Sequence, residues 1–147
     1  MNQRISAGDR IGYFYSPELE RPAGHYSHAC VAGGIVYVSG QLPLDKNGTV
    51  LTDRPFEVQA EQVLANLSAC LAAAGTDRAR LVQVRVYIAD MSLWSSFDQI
   101  YGKWIGDARP ARAVAGVSGA VFDLGPRGRD ERPSAVQQRH RDRRVFL

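Results

Sequence analysis

An α+β fold, a mixed sheet carrying two helices on one face, follows from three features of this sequence. Residues 56–74 place Val63, Leu64, Leu67, Cys70, Leu71 and Ala74 at three- and four-residue spacing, the period of a helix with one buried side. Residues 81–88 alternate instead, with Val82, Val84, Val86 and Ile88 set against Gln83, Arg85 and Tyr87, the period of a half-buried strand. The order strand, strand, helix, strand, helix, strand then puts both helices on one side of the sheet. At 147 residues, 45% hydrophobic and 22% charged, the chain has apolar material for one core.

Taken in order, Ile11 to Tyr15 reads as a short edge strand, followed by a loop rich in proline. Gly24 to Val31 alternates small or apolar residues with polar ones, and Ala32-Gly33-Gly34 supplies a hairpin turn into the next strand. That strand, Ile35-Val36-Tyr37-Val38, stops at Ser39-Gly40-Gln41-Leu42-Pro43, where glycine permits a bend and proline removes a donor. Lys46-Asn47-Gly48-Thr49 is a turn, and Val50-Leu51 a brief strand. Asp53 is the expected cap of the first helix, Pro55 fits its first turn, and Gly75 ends it. Asp90 or Ser92 is expected to cap a second helix whose Leu93, Trp94, Phe97, Ile100, Tyr101 and Trp104 form an apolar stripe for core packing. Gly106 and Pro110 break it, and Ala111 to Val117 reads as a further strand. With helices on one side only, the other sheet face is expected to be buried against another subunit.

From about Gly125 the pattern is lost. Pro126, Gly128, Pro133 and the run Arg139-His140-Arg141-Asp142-Arg143-Arg144 have neither period, so residues 1–125 read as the domain and 126–147 as a disordered, arginine-rich tail. The whole net charge of +3 sits in residues 121–147, where seven arginines meet four acids. That tail could attract phosphates, but neutrality elsewhere and the lack of a stacking platform among basic residues argue against a nucleic-acid partner. No run is long enough to span a membrane, and Met1-Asn2-Gln3-Arg4 does not open an apolar signal region, so a cytoplasmic protein is expected. Cys30 and Cys70 lack paired ligand spacing and His140 lies far from His25 and His28, so no metal is expected.

Four segments in register resemble the RidA (YjgF/YER057c/UK114) family of enamine and imine deaminases. They are Gly24-His25-Tyr26-Ser27-His28-Ala29, where the family usually has Gly-Pro-Tyr-Ser-Gln-Ala; Val38 to Asp45; Gln62 to Leu67 with Ala73-Ala74-Gly75; and Pro110-Ala111-Arg112. The resemblance covers about residues 20–118. It implies a chorismate-mutase-like sandwich assembled as a homotrimer with sites in the clefts between subunits, and hydrolysis, without a cofactor, of 2-aminoacrylate-type imines to a 2-keto acid and ammonia. It makes Arg112 the carboxylate clamp, a role its planar fork of donors suits. Tyr26 would line the cleft from the neighbouring subunit, Ser39 and Gly40 would hold the substrate through a hydroxyl and a backbone N–H, and the Val114 carbonyl would hold the attacking water. The family's last strand, of the kind Ala-Leu-Val-Glu-Ile-Glu-Ala-Ile-Ala, positions that water with a glutamate; here Asp123 to Ala135 offers no counterpart. The abrupt change of composition also suggests that this stretch is read out of frame, which the gene sequence tests directly. A binding module without catalysis is the competing expectation.

Overall fold

The computed structural model describes residues 10–118 and 145–147. Three strands, β1 (Gly12–Phe14), β2 (Ala29–Ala32) and β3 (Ile35–Val38), form an antiparallel sheet in that order. Gly33 and Gly34, at φ 57° and 79°, make the tight turn between β2 and β3, a conformation that residues with a Cβ seldom adopt. Helix α1 (Phe56–Ala73) leads to β4 (Gln83–Ile88), and α2 (Trp94–Ile105) crosses over to β5 (Ala111–Gly116). β5 lies parallel to β4, with Val84 opposite Arg112 and Val86 opposite Val114.

On the other side of β4 lies β6, Val145–Phe146, running antiparallel with Phe146 opposite Tyr87. This corrects the expectation of a disordered tail for its last three residues; the rest of that segment, from residue 126 to 144, lies outside the described residues. Only three residues are involved, too few for any sequence period to register. Leu147 packs against the main core, and its backbone exchanges two hydrogen bonds with Gln41, Leu147 N–H to the Gln41 carbonyl at 3.1 Å and Gln41 N–H back at 2.5 Å. The Gln41–Leu147 pair therefore joins the two sheets, giving the succession β1, β2, β3, β6, β4, β5.

The core lies between the sheet and the helices. Val84, Val86 and Ile88 meet Phe56, Ala60, Val63 and Leu64 of α1 and Phe97, Tyr101 and Ile105 of α2. Val82, grouped with them by alternation, falls just before the strand begins and is exposed. Asp53 does not cap α1. Pro55 occupies the capping position, two residues on, and the Gln59 side chain instead ties the entry by donating to the Arg54 carbonyl at 2.8 Å. Asp90 does cap, accepting from the Ser92 N–H at 3.0 Å, but the turn it starts is a short 3₁₀ segment, Met91–Leu93, that runs into α2. The strand expected from Gly24 begins only at Ala29, because Ser27 and His28 spend their polar groups on loop contacts.

The opposite sheet face is open. Tyr13, Cys30 and Tyr37 lie side by side across the first sheet, with Tyr13 66% and Tyr37 55% exposed. Ala111, Ala113 and Ala115 form a row of methyl groups along β5, opposite Gln83, Arg85 and Tyr87. Among the described residues no helix is long and apolar enough to cross a membrane.

Two outcomes are expected. Deleting residues 145–147 should lower stability by about 2–4 kcal/mol, read from urea unfolding, because it removes an apolar contact and leaves strand hydrogen bonds unmade. Burial pushes the Cys70 thiol up to about 11. Its raised value in the folded state means a contribution that is complete below the unfolded thiol's range and fades as pH climbs toward 11. Urea unfolding of the native chain and Cys70→Ala between pH 8 and pH 11 should show a smaller alkaline decline in the variant.

Candidate functional site

In α2 the residues Trp94, Asp98 and Tyr101 follow at intervals of four and three, which sets them on one side of the helix. Arg112 stands opposite Val84, whose side chain is buried beneath the helices, so register sends Arg112 to that same face. There its Nη1 donates to Asp98 Oδ1 at 2.8 Å. The guanidinium carbon lies 4.8 Å from the Trp94 ring centre and 5.0 Å from that of Tyr101. An exposed ion pair contributes about 0–1 kcal/mol and each such cation–π contact about 0.5–1 kcal/mol. Their larger effect is to orient the guanidinium. Burial raises the Tyr101 phenol above its ordinary pKa; the Arg112 cation opposes that rise and the Asp98 carboxylate adds to it.

Asp98, Tyr101, Gly106, Arg109, Pro110 and Arg112 line a cleft of about 440 Å³ at the end of α2. Arg109 closes the helix end by donating from Nη1 to the carbonyls of Gly106 and Ala108. A larger hollow, about 680 Å³, lies between α1 and α2 and contains none of the candidate residues. Its floor includes a Trp104 Nε1–H to Ser68 Oγ bond at 2.9 Å, a contact that fixes the two helices against each other.

The remaining candidates form a second group. Tyr26 is half exposed on the loop before β2. Ser39 Oγ donates to the carbonyl of neighbouring Ser27 at 2.6 Å, and Ser39 N–H donates to the His28 carbonyl at 3.0 Å. The Ser39 hydroxyl proton is thus committed, and its oxygen can only accept from a ligand. Gly40 follows directly, and a Cβ built on it would lie 3.6 Å from the Leu147 carbonyl. Behind this loop His28 is buried: Ser16 N–H donates to Nδ1 at 2.8 Å, and Nε2 lies 3.1 Å from the Glu20 carbonyl. These partners place the ring proton on Nε2.

The two groups do not meet within one chain. From β3 to β5 the sheet steps across β6 and β4, three strand spacings of about 4.8 Å, so roughly 14 Å separates their strand lines. Ser39 follows Tyr37 by two residues and so belongs to the open face, whereas Arg112 is on the helix face. Val114, two residues beyond Arg112, packs against the core. The sequence reading missed Asp98, although an acid at four- and three-residue distances from two aromatic residues of an apolar stripe was its visible signal. Among the described residues no three of His, Cys, Asp and Glu gather to hold a metal ion.

A two-layer α+β chain with an arginine anchored at the edge of its sheet is the class that fold and site define. The sequence profile of the family described as Endoribonuclease L-PSP matches residues 18–124. A RutC family protein of Pyrococcus horikoshii is 32% identical over 110 residues, covering 75% of this chain and 87% of that protein. Among solved structures, yeast Mmf1 superposes with a TM-score of 0.73 at 29% identity, covering 77% of this chain and 90% of the other. RidA from the Antarctic bacterium Psychrobacter superposes with a TM-score of 0.69 at 29% identity, covering 80% and 90%. The chain belongs to this family, also called YjgF/RidA, and has its chorismate-mutase-like α+β fold.

His28→Ala should destabilise the chain by about 1–3 kcal/mol in urea unfolding, since it strands the Ser16 N–H and the Glu20 carbonyl. His28→Gln, which restores a donor and an acceptor, should recover most of that loss.

Proposed function

We propose that this protein is an enamine and imine deaminase acting on small amino-acid-derived substrates, with Arg112 clamping the substrate carboxylate. The observation that carries the reading is the guanidinium of Arg112, held against two rings and a carboxylate at the mouth of a cleft, within a chain of the RidA family. A 2-aminoacrylate molecule tautomerises to its imine. Water then adds at C2, the C–N bond breaks, and the products are a 2-keto acid and ammonia. An arginine beside the reacting carbon neutralises the substrate carboxylate without a cofactor and fixes its plane.

The second group completes the site from another copy of the chain. Tyr26, Ser39 and Gly40 lie about 14 Å from the Arg112 strand line within one chain, and the exposed rings of Tyr13 and Tyr37 offer a face for a partner to cover. A homotrimer with clefts between subunits accounts for both features. In that arrangement the Gly40 N–H and the Ser39 oxygen face the substrate, Tyr26 supplies a phenol, and the Val114 carbonyl receives the hydrolytic water. A cytoplasmic location fits substrates that arise from amino-acid metabolism.

One observation favours a second reading, a carboxylate-binding module without turnover. The strand beside β4, Val145–Phe146, and Leu147 after it carry no acidic side chain to position water. Ammonia release from freshly generated 2-aminoacrylate decides between them. The native chain should release ammonia, and Arg112→Ala should lose at least about 100-fold in kcat/KM, the equivalent of one or two charge-assisted hydrogen bonds. A native chain that binds 2-oxobutanoate yet releases no ammonia would establish the binding module.

A further inference from the structure

We propose that Asp98 is the positioning residue of the Arg112 clamp: it holds one end of the guanidinium so that the opposite edge is presented to the carboxylate of a 2-imino or 2-oxo acid. This rests on the carboxylate-binding role given to Arg112 above. A guanidinium binds a carboxylate best through two parallel N–H groups, and the plane of the fork must be fixed before the ligand arrives. Asp98 engages Nη1 alone, through Oδ1 at 2.8 Å. The Nε–Nη2 edge, whose two N–H groups point the same way, has no hydrogen-bond partner among the described residues.

Three anchors on one rigid element set the orientation. Trp94 and Tyr101 contact the guanidinium through their rings, and Asp98 stands between them in the sequence of the same helix face. Tyr101 is itself locked in the core, stacked on Phe97 with ring centres 6.0 Å apart. Asp98 and Arg112 both line the 440 Å³ cleft, so the carboxylate acts at its wall. Half of the Asp98 side chain is in contact with solvent, which screens its repulsion of an incoming anion.

The test compares native protein, Asp98→Ala and Asp98→Asn, each full length, in ammonia release from 2-aminoacrylate and in calorimetric binding of 2-oxobutanoate. Asp98→Ala should raise KM and Kd about tenfold with kcat within about twofold and an unchanged Tm, because ground-state placement of the carboxylate is what it loses. Asp98→Asn keeps an oxygen that accepts from Nη1, and it should stay within about threefold of native. Unchanged or lowered KM and Kd in Asp98→Ala would overturn the proposal and make Asp98 a competitor of the substrate. So would Asp98→Asn as weak as Asp98→Ala. Should Arg112→Ala bind 2-oxobutanoate as well as native protein does, the clamp itself falls and the proposal with it; an Arg112-dependent site indifferent to Asp98 overturns the proposal alone.

Discussion

One pair of residues, Gln41 and Leu147, joins the two halves of the sheet, and the architecture depends on that junction. β1 to β3 form one hydrogen-bonded sheet and β4 to β6 another, and the pair exchanges two backbone hydrogen bonds across the gap. Leu147 also reaches the core beneath α1. A segment of three residues thus covers an edge of β4 that would otherwise carry unmet donors and acceptors, and an uncovered edge of that kind invites pairing with another chain.

The same junction sets the geometry of one half of the candidate site. Gly40 lies beside the Leu147 carbonyl, where any side chain would come into contact with it. The loop carrying Tyr26 is tied to this corner by Ser39 and, on its other side, by the buried ring of His28. Arg112 is placed independently, by the pairing of β5 with β4 and by the face of α2 above it. Two separately built corners on one chain are what the proposed site, shared between copies, requires.

Much of this was legible in the sequence. Both helices, the β2–β3 hairpin and the buried alternation of Val84, Val86 and Ile88 follow from period and glycine placement, because those signals are local. The final strand was not, since two residues carry no period and their role comes wholly from pairing with a strand about sixty residues earlier. The first cap failed for a related reason: Asp53 has the right chemistry, but Pro55 fixes the helix start too far along for it to reach. Arg112 was identified through the family resemblance, whereas the pairing of its cation with Asp98 depends on how α2 sits over β5, which no local pattern encodes.

The methyl row of Ala111, Ala113 and Ala115 has a consequence for how far the site can be altered from a distance. These residues alternate along β5 with Arg112 and Val114, so the strand has an almost bare surface on one side and the anchored guanidinium on the other. Any surface laid on this bare side would come within a methyl radius of the backbone. Ala113 is exposed in the single chain, so a bulkier side chain there would project away from α2 and would matter to the strand carrying Arg112 only where another surface came to cover that face.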